Sequence, residues 1–201
     1  MSTTEFAVTW AYRCPFARNF AEHVLVGLAA GAPWDVTWIP FALEQTHVGE
    51  GQPDVWDDAA KGPALLAVQA GIAVRDRFPE RFPAAHGALF AARHDLGLDL
   101  RDPELVKEAL GAAGVDGEAV MDEVATGRPL ETLRKEHEQA VAEHSVFGVP
   151  TVITGNRATF VRVMSRPGSD ADVAVGTVER VLELVGGWPE LNELKHTTIP
   201  R

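Results

Sequence analysis

Cys14 is the only cysteine in a chain of 201 residues, and its neighbours make it a candidate nucleophile. It follows the β-type run Phe6-Ala7-Val8-Thr9-Trp10 and precedes an apolar stripe, Ala17, Phe20, Ala21, Val24, Leu25 and Leu28. That spacing is one face of a helix. Pro15 suits the first helical turn, where no backbone N–H is needed. Cys14 is thereby placed at a helix N-terminus, where unpaired N–H groups and the helix dipole favour an anion. The thiolate is that anion and is the reactive form of cysteine. Arg13 and Arg18 would push the same way, so the sequence predicts a thiol more acidic than free cysteine. The competing view, a buried cysteine acting as a small hydrophobe, leaves its place at a strand-to-helix junction unexplained. With no second cysteine, Cys14 can form only a mixed disulfide, which another thiol must release by exchange. Alternatively it polarises the thiol of a bound molecule without bonding to it.

The second half of such a site lies far downstream, in Gly148-Val149-Pro150-Thr151-Val152. A proline opening a strand-like run cannot donate to the ladder, and such places are where cis X-Pro bonds occur. The plain alternative is a trans proline at the start of an edge strand. With a cis bond, the Val149 N–H and C=O would face solvent beside Cys14, and an extended thiol ligand could add there as a short strand. Tyr12 and Phe16 are expected to line an apolar pocket, with Trp10 in the core. The expected substrate-binding set is Tyr12, Arg13, Pro15, Phe16, Val149, Pro150 and Thr151. His137 and His144 stand seven apart on one helical stripe, which is not an i, i+4 ligand pair, and no HExxH is present, so no metal site is expected. His144 is read as a partly buried surface histidine.

The elements that must hold these residues follow from periodicity and punctuation. Phe6–Trp10 is a first strand, Pro15–Ala30 a helix stopped by Gly31, and Asp35–Ile39 a second strand. From about Trp56 to Thr126 the pattern is helical, with breaks at Phe78-Pro79 and Phe82-Pro83. Leu65, Leu66, Gln69, Ile72 and Ala73 form one face; Ala85, Leu89, Ala92 and Leu96 suggest another. Asp102-Pro103-Glu104 and Asp116 read as helix starts. Pro129–His144 is a longer helix, Pro150–Ile153 a third strand, Gly155-Asn156 a hairpin turn, Thr159–Val163 a fourth strand, and Val173–Val185 a closing helix. This is a βαβ unit and a ββα unit separated by a helical block. The expected division is a discontinuous domain of residues 1–55 and 127–201, with an inserted helical domain at 56–126.

Composition narrows the function classes. A net charge of −11 argues against a nucleic-acid surface, which needs clustered Lys and Arg. The start, Met1-Ser2-Thr3-Thr4-Glu5, has no basic region followed by an apolar core, and no run is long enough to span a bilayer. A single cysteine fits a reducing compartment, so a cytoplasmic protein without membrane partners is expected. No Gly-rich phosphate-binding pattern appears, so no nucleotide-binding fold is expected.

Cys14-Pro15-Phe16-Ala17 at a strand-helix junction, with Val149-Pro150-Thr151 before a late strand, resembles the thioredoxin superfamily. The order of elements is similar to its DsbA-like branch, an α/β thioredoxin-like fold with a helical insertion. The resemblance implies that the cis-proline loop packs beside the cysteine and presents backbone groups to the substrate. The run Phe160 to Pro167 and the tail Glu193-Leu194-Lys195-His196-Thr197 resemble actinobacterial mycothiol-dependent nitroreductases, whose sites read Cys-Pro-Trp-Cys or Cys-Pro-Trp-Ala. Here Ala17 holds the second cysteine's position, Phe16 replaces the tryptophan, and Tyr12-Arg13 stands where that family has Asp-Pro. The resemblance implies a thiol oxidoreductase with catalytic Cys14, no tightly bound cofactor, and a low-molecular-weight thiol, mycothiol or similar, as co-substrate for a small organic acceptor. Two alternatives stand beside it. One is an enzyme like kappa-class glutathione transferases or chromene-carboxylate isomerases, with Cys14 polarising a bound thiol. The other is a non-catalytic thioredoxin-fold binding module. The inserted helices are expected to roof Cys14 with an apolar pocket or, alternatively, to form a homodimer surface.

Overall fold

The computed structural model describes residues 3–196, so the first two residues of the N-terminal stretch and Thr197 of the tail lie outside the described residues. Strands β1 (Thr4–Trp10) and β2 (Trp34–Pro40) pair in parallel, joined by helix α1 (Pro15–Ala29). Strand β3 (Thr151–Thr154) runs antiparallel to β1, and β4 (Arg157–Phe160) returns beside it, giving the order β2-β1-β3-β4. Val8, Thr9 and Trp10 of β1 are all buried. A central strand covered on both faces loses the apolar-polar alternation of an exposed one.

Between β2 and β3 lie α2 (Gly62–Arg77), α3 (Phe82–His94), α4 (Pro103–Ala112), α5 (Gly117–Ala125) and α6 (Arg128–His144). Helix α2 is the hub of this block, touching α3, α5 and α6. The sequence suggested one apolar face for it. In fact Leu65, Val68, Ala70, Ile72, Ala73 and Val74 are all buried, the pattern of a helix surrounded by partners. Asp102 and Asp116 cap α4 and α5, accepting from the backbone N–H of Glu104 at 2.9 Å and Glu118 at 3.0 Å. Helix α7 (Ala171–Gly187) closes the fold against α1 and β3. No helix among the described residues is long and apolar enough to cross a membrane.

Three expected boundaries move. Strand β4 covers 157–160 rather than 159–163, because Gly155-Asn156 is a two-residue turn and Arg157 pairs at once with Thr154. Helix α3 ends at His94, so Leu96 falls beyond it and is exposed instead of extending the stripe. Helix α7 runs past the expected end at Val185, with Gly186 and Gly187 in its last turn.

Candidate active site

Cys14 is the N-cap of α1. Its extended backbone (φ −92°, ψ 118°) turns the chain from strand into helix. Its own N–H donates to the Ala11 carbonyl at 3.1 Å, which tightens the approach. The sulfur accepts from the Ala17 N–H at 3.4 Å, doing the work usually left to a serine or aspartate oxygen. Across a gap of 3.2 Å the same sulfur, as a thiol, donates to the carbonyl of Val149. Residues 135 positions apart in sequence therefore meet at one atom.

The Val149–Pro150 peptide is cis. The loop that carries it leaves α6 through Ser145, in the left-handed region at φ 53°. Three hydrogen bonds clamp it to β1 and to itself. The Thr151 N–H donates to Thr9 Oγ1 at 2.8 Å, Thr151 Oγ1 donates to the Gly148 carbonyl at 2.8 Å, and Thr9 Oγ1 reaches the same carbonyl at 3.5 Å. The Pro150 carbonyl accepts from the Val161 N–H at 2.9 Å. Thr151 is buried, and its N–H and its hydroxyl both serve this clamp, so it positions the loop. Val149 is also buried and its carbonyl faces Cys14, not open solvent as its sequence suggested.

The other expected residues divide. Pro15 is exposed and Phe16 half-buried at the start of α1, beside the sulfur. Arg13 is exposed and pairs with Glu44 at 2.9 Å. Tyr12 borders a cavity together with Ala11 and Arg13, yet almost all of it is core. It is buried, with its hydroxyl against His86 Nδ1 at 3.0 Å and its ring edge-on to Phe90. Trp10 is core as expected, and His86 beside it is fully buried, its pKa pushed down to about 3 by that burial. Arg18 is buried and committed to Glu22 at 2.8 Å and to Asp95, tying α1 to the end of α3. The cation that acts on Cys14 is Arg162, which the sequence reading passed over; its guanidinium sits 4.0 Å above the Phe16 ring. Only the pairing of distant segments could reveal it, since it lies 148 positions from the cysteine. His137 is buried on α6 and packs on Phe41, and burial pushes its pKa down to about 4. His144 is half-buried. Among the described residues no three His, Cys, Asp or Glu side chains gather as a metal site.

The electrostatics overturn the expected acidity. Burial pushes the Cys14 thiol above its ordinary value of 9.0, outweighing the N–H groups of Ala17 and Phe16 and the charge of Arg162, which all pull it down. The Val149 carbonyl accepts a hydrogen bond from the thiol, one that a thiolate has no proton to give. We expect the alkylation rate of Cys14 to show a midpoint above pH 9, and a midpoint near 7 would contradict this balance. By linkage, the folded thiol holds its proton more tightly than the unfolded one. Its contribution to stability is therefore present at neutral pH and is lost as pH rises from the ordinary value through the raised one.

The fold is similar to that of several proteins of known structure. It is similar to the oxidoreductase DsbA1 of Neisseria meningitidis, with a TM-score of 0.59, 18% identity, and coverage of 92% of this chain and 84% of that one. It is similar to DsbA of Pseudomonas aeruginosa, with a TM-score of 0.53, 20% identity, and coverage of 89% and 81%. It also resembles 2-hydroxychromene-2-carboxylate isomerase, with a TM-score of 0.59, 16% identity, and coverage of 90% and 97%. No curated protein matches the sequence. At such identities these likenesses establish architecture alone. The sequence itself goes further: residues 10–171 match the DSBA-like thioredoxin domain, and the chain belongs to that family.

Proposed function

We propose that this protein is a monothiol oxidoreductase that exchanges disulfides with a low-molecular-weight thiol, mycothiol or a similar one, on small organic substrates in the cytoplasm. The observation that carries the reading is the Cys14 sulfur, fixed between the Ala17 N–H and the Val149 carbonyl of the cis-proline loop, with Ala17 in the place of a resolving cysteine. In the first half-reaction the Cys14 thiolate attacks one sulfur of a small disulfide. A mixed disulfide forms, and the other half leaves as a thiolate. A second thiol then attacks the mixed disulfide and frees Cys14. A raised thiol pKa slows the first step less than the thiolate fraction suggests, since nucleophilicity rises with basicity; the net loss is about threefold per unit. It also makes Cys14 the poorer leaving group, so attack that expels the small thiol is favoured and the adduct persists.

The test is intact-mass measurement after treatment with oxidised mycothiol, glutathione and cysteine. A single adduct on Cys14, removed by the reduced thiol, supports the reading, and no adduct with any of them sinks it. One observation favours a second reading. A thiol that keeps its proton is a hydrogen-bond donor, and the Cys14 S–H now given to Val149 could instead be given to a bound thiolate. Tight binding of a reduced thiol with no adduct would select that reading.

The missing partner yields a further expectation. Positions 14 and 17 share a helix face, which is what a bridge of this kind needs. Ala17→Cys is expected to form an internal disulfide on mild oxidation, read as the loss of both free thiols and of two hydrogens by mass. If both thiols persist, the two positions are not arranged for exchange.

A further inference from the structure

A cavity of about 240 Å³ opens between the loop that delivers Cys14 and the helices inserted after β2. The sequence led us to expect an apolar roof over Cys14 itself. Instead, Cys14 stands next to the wall, which is formed on its side by Ala11, Tyr12 and Arg13. Its lining is of two kinds. Ala64, Ala67 and Val68 of α2, with Leu43 and Leu100, are apolar. Arg13, Arg93 and Arg101 stand with Glu44 and Asp99, three cations and two carboxylates in a protein whose net charge is −11.

The pairing leaves one cation over. Arg13 is held by Glu44, and Arg101 by both oxygens of Asp99 at 2.9 and 3.0 Å. Arg93 donates to the Leu98 carbonyl at 3.3 Å and pairs with no carboxylate among the described residues. It is half-buried near the end of α3, so less of its charge is spent on water than that of an exposed arginine. A guanidinium has five N–H donors in a planar fork that matches a carboxylate. The volume lies below the roughly 300 Å³ at which pockets for drug-sized ligands begin, which fits a body of about one ring.

We infer that this cavity holds the carboxylate end of a small, largely apolar acid, with Arg93 as its anchor, and so selects anionic partners for the neighbouring thiol. The inference rests on the exchange chemistry proposed for Cys14. It makes Arg93 a specificity residue, not a catalytic one. The cation acting on the Cys14 sulfur is Arg162, while the field of Arg93 falls on His94 and Asp99, so removing Arg93 should leave the thiol's own reactivity in place.

Two aromatic disulfides separate the possibilities. 5,5′-Dithiobis(2-nitrobenzoate) carries carboxylates and 2,2′-dithiodipyridine does not, and each reports attack by Cys14 through the coloured thiolate or thione it releases. For Arg93→Met we expect the rate with the carboxylate probe to fall about tenfold, the size of a lost charge-assisted bond. The rate with the neutral probe should stay within about twofold, which also shows that the variant is folded. Arg134→Met, which removes the same charge from α6, should change neither. Equal falls for both probes, or no selective fall, would overturn the assignment. Saturable binding of 2-nitrobenzoate, followed by tryptophan fluorescence, tests the cavity without the thiol. Binding that is lost in Arg93→Met supports the anchor even if wild-type Cys14 reacts with neither probe, an outcome that would defeat only the exchange reading. No saturable binding to the wild type defeats the cavity.

Discussion

Replacing Cys14 by serine is expected to abolish adduct formation with small disulfides and to lower thiol-dependent turnover by at least about a thousandfold, the scale seen when a covalent nucleophile is removed. The hydroxyl fits the same place. It can accept from the Ala17 N–H and donate to the Val149 carbonyl as the thiol does, so the fold and the cap should survive. What is lost is sulfur chemistry, because a hydroxyl is a far weaker nucleophile than a thiol and forms no disulfide. Stability by chemical denaturation should change little, while the intact mass should show no added thiol under any condition. Retained turnover in the serine variant would move the chemistry away from Cys14, and retained tight binding of a reduced thiol would favour a polarising role.

The second large effect concerns a residue with no side chain. Gly71 lies in the interior of α2, where glycine is normally unfavourable by roughly 1 kcal/mol against alanine. Here a Cβ would stand 2.5 Å from Tyr12 Oη, 2.8 Å from Trp10 Cη2 and 3.0 Å from Tyr12 Cε2. Neither ring can yield easily. The Tyr12 hydroxyl is held by His86 at 3.0 Å, and Trp10 packs against Tyr12, Phe82 and His86. Gly71→Ala is therefore expected to destabilise the protein by about 1–3 kcal/mol, as overpacking does, despite the better helix propensity. The displaced Tyr12 would also disturb the loop that carries Arg13 and Cys14, so thiol exchange should change with it. A denaturation midpoint equal to or above that of the wild type would show that the packing is looser than these distances require.

Much of this molecule was legible in the chain itself, for local reasons. The proline after Cys14, the apolar stripe beyond it and the β-type run before it are short-range signals, and each is decided within a few residues by backbone sterics and hydrogen bonding. The same holds for the aspartates that open α4 and α5 and for the glycine turn between β3 and β4. The order of these elements was enough for the fold class. The state of the site was not legible in the same way. Whether a helix-start cysteine is acidic depends on the sum of burial, facing carbonyls and distant charges, and in this protein burial prevails. Arg13 and Arg18 were the natural helpers by sequence, yet each is drawn to a carboxylate elsewhere, and the cation that reaches the sulfur comes from the segment after β4. Tyr12 illustrates the same limit: beside the cysteine in sequence, it turns inward because Gly71 and His86, on two inserted helices, offer its ring and hydroxyl a place. Nearest neighbours in the chain thus determined the helix, the strands and the nucleophile's position. The protonation of that nucleophile and the cations around it were set by which distant segments the tertiary fold packs together, since desolvation and charge act through space rather than along the backbone.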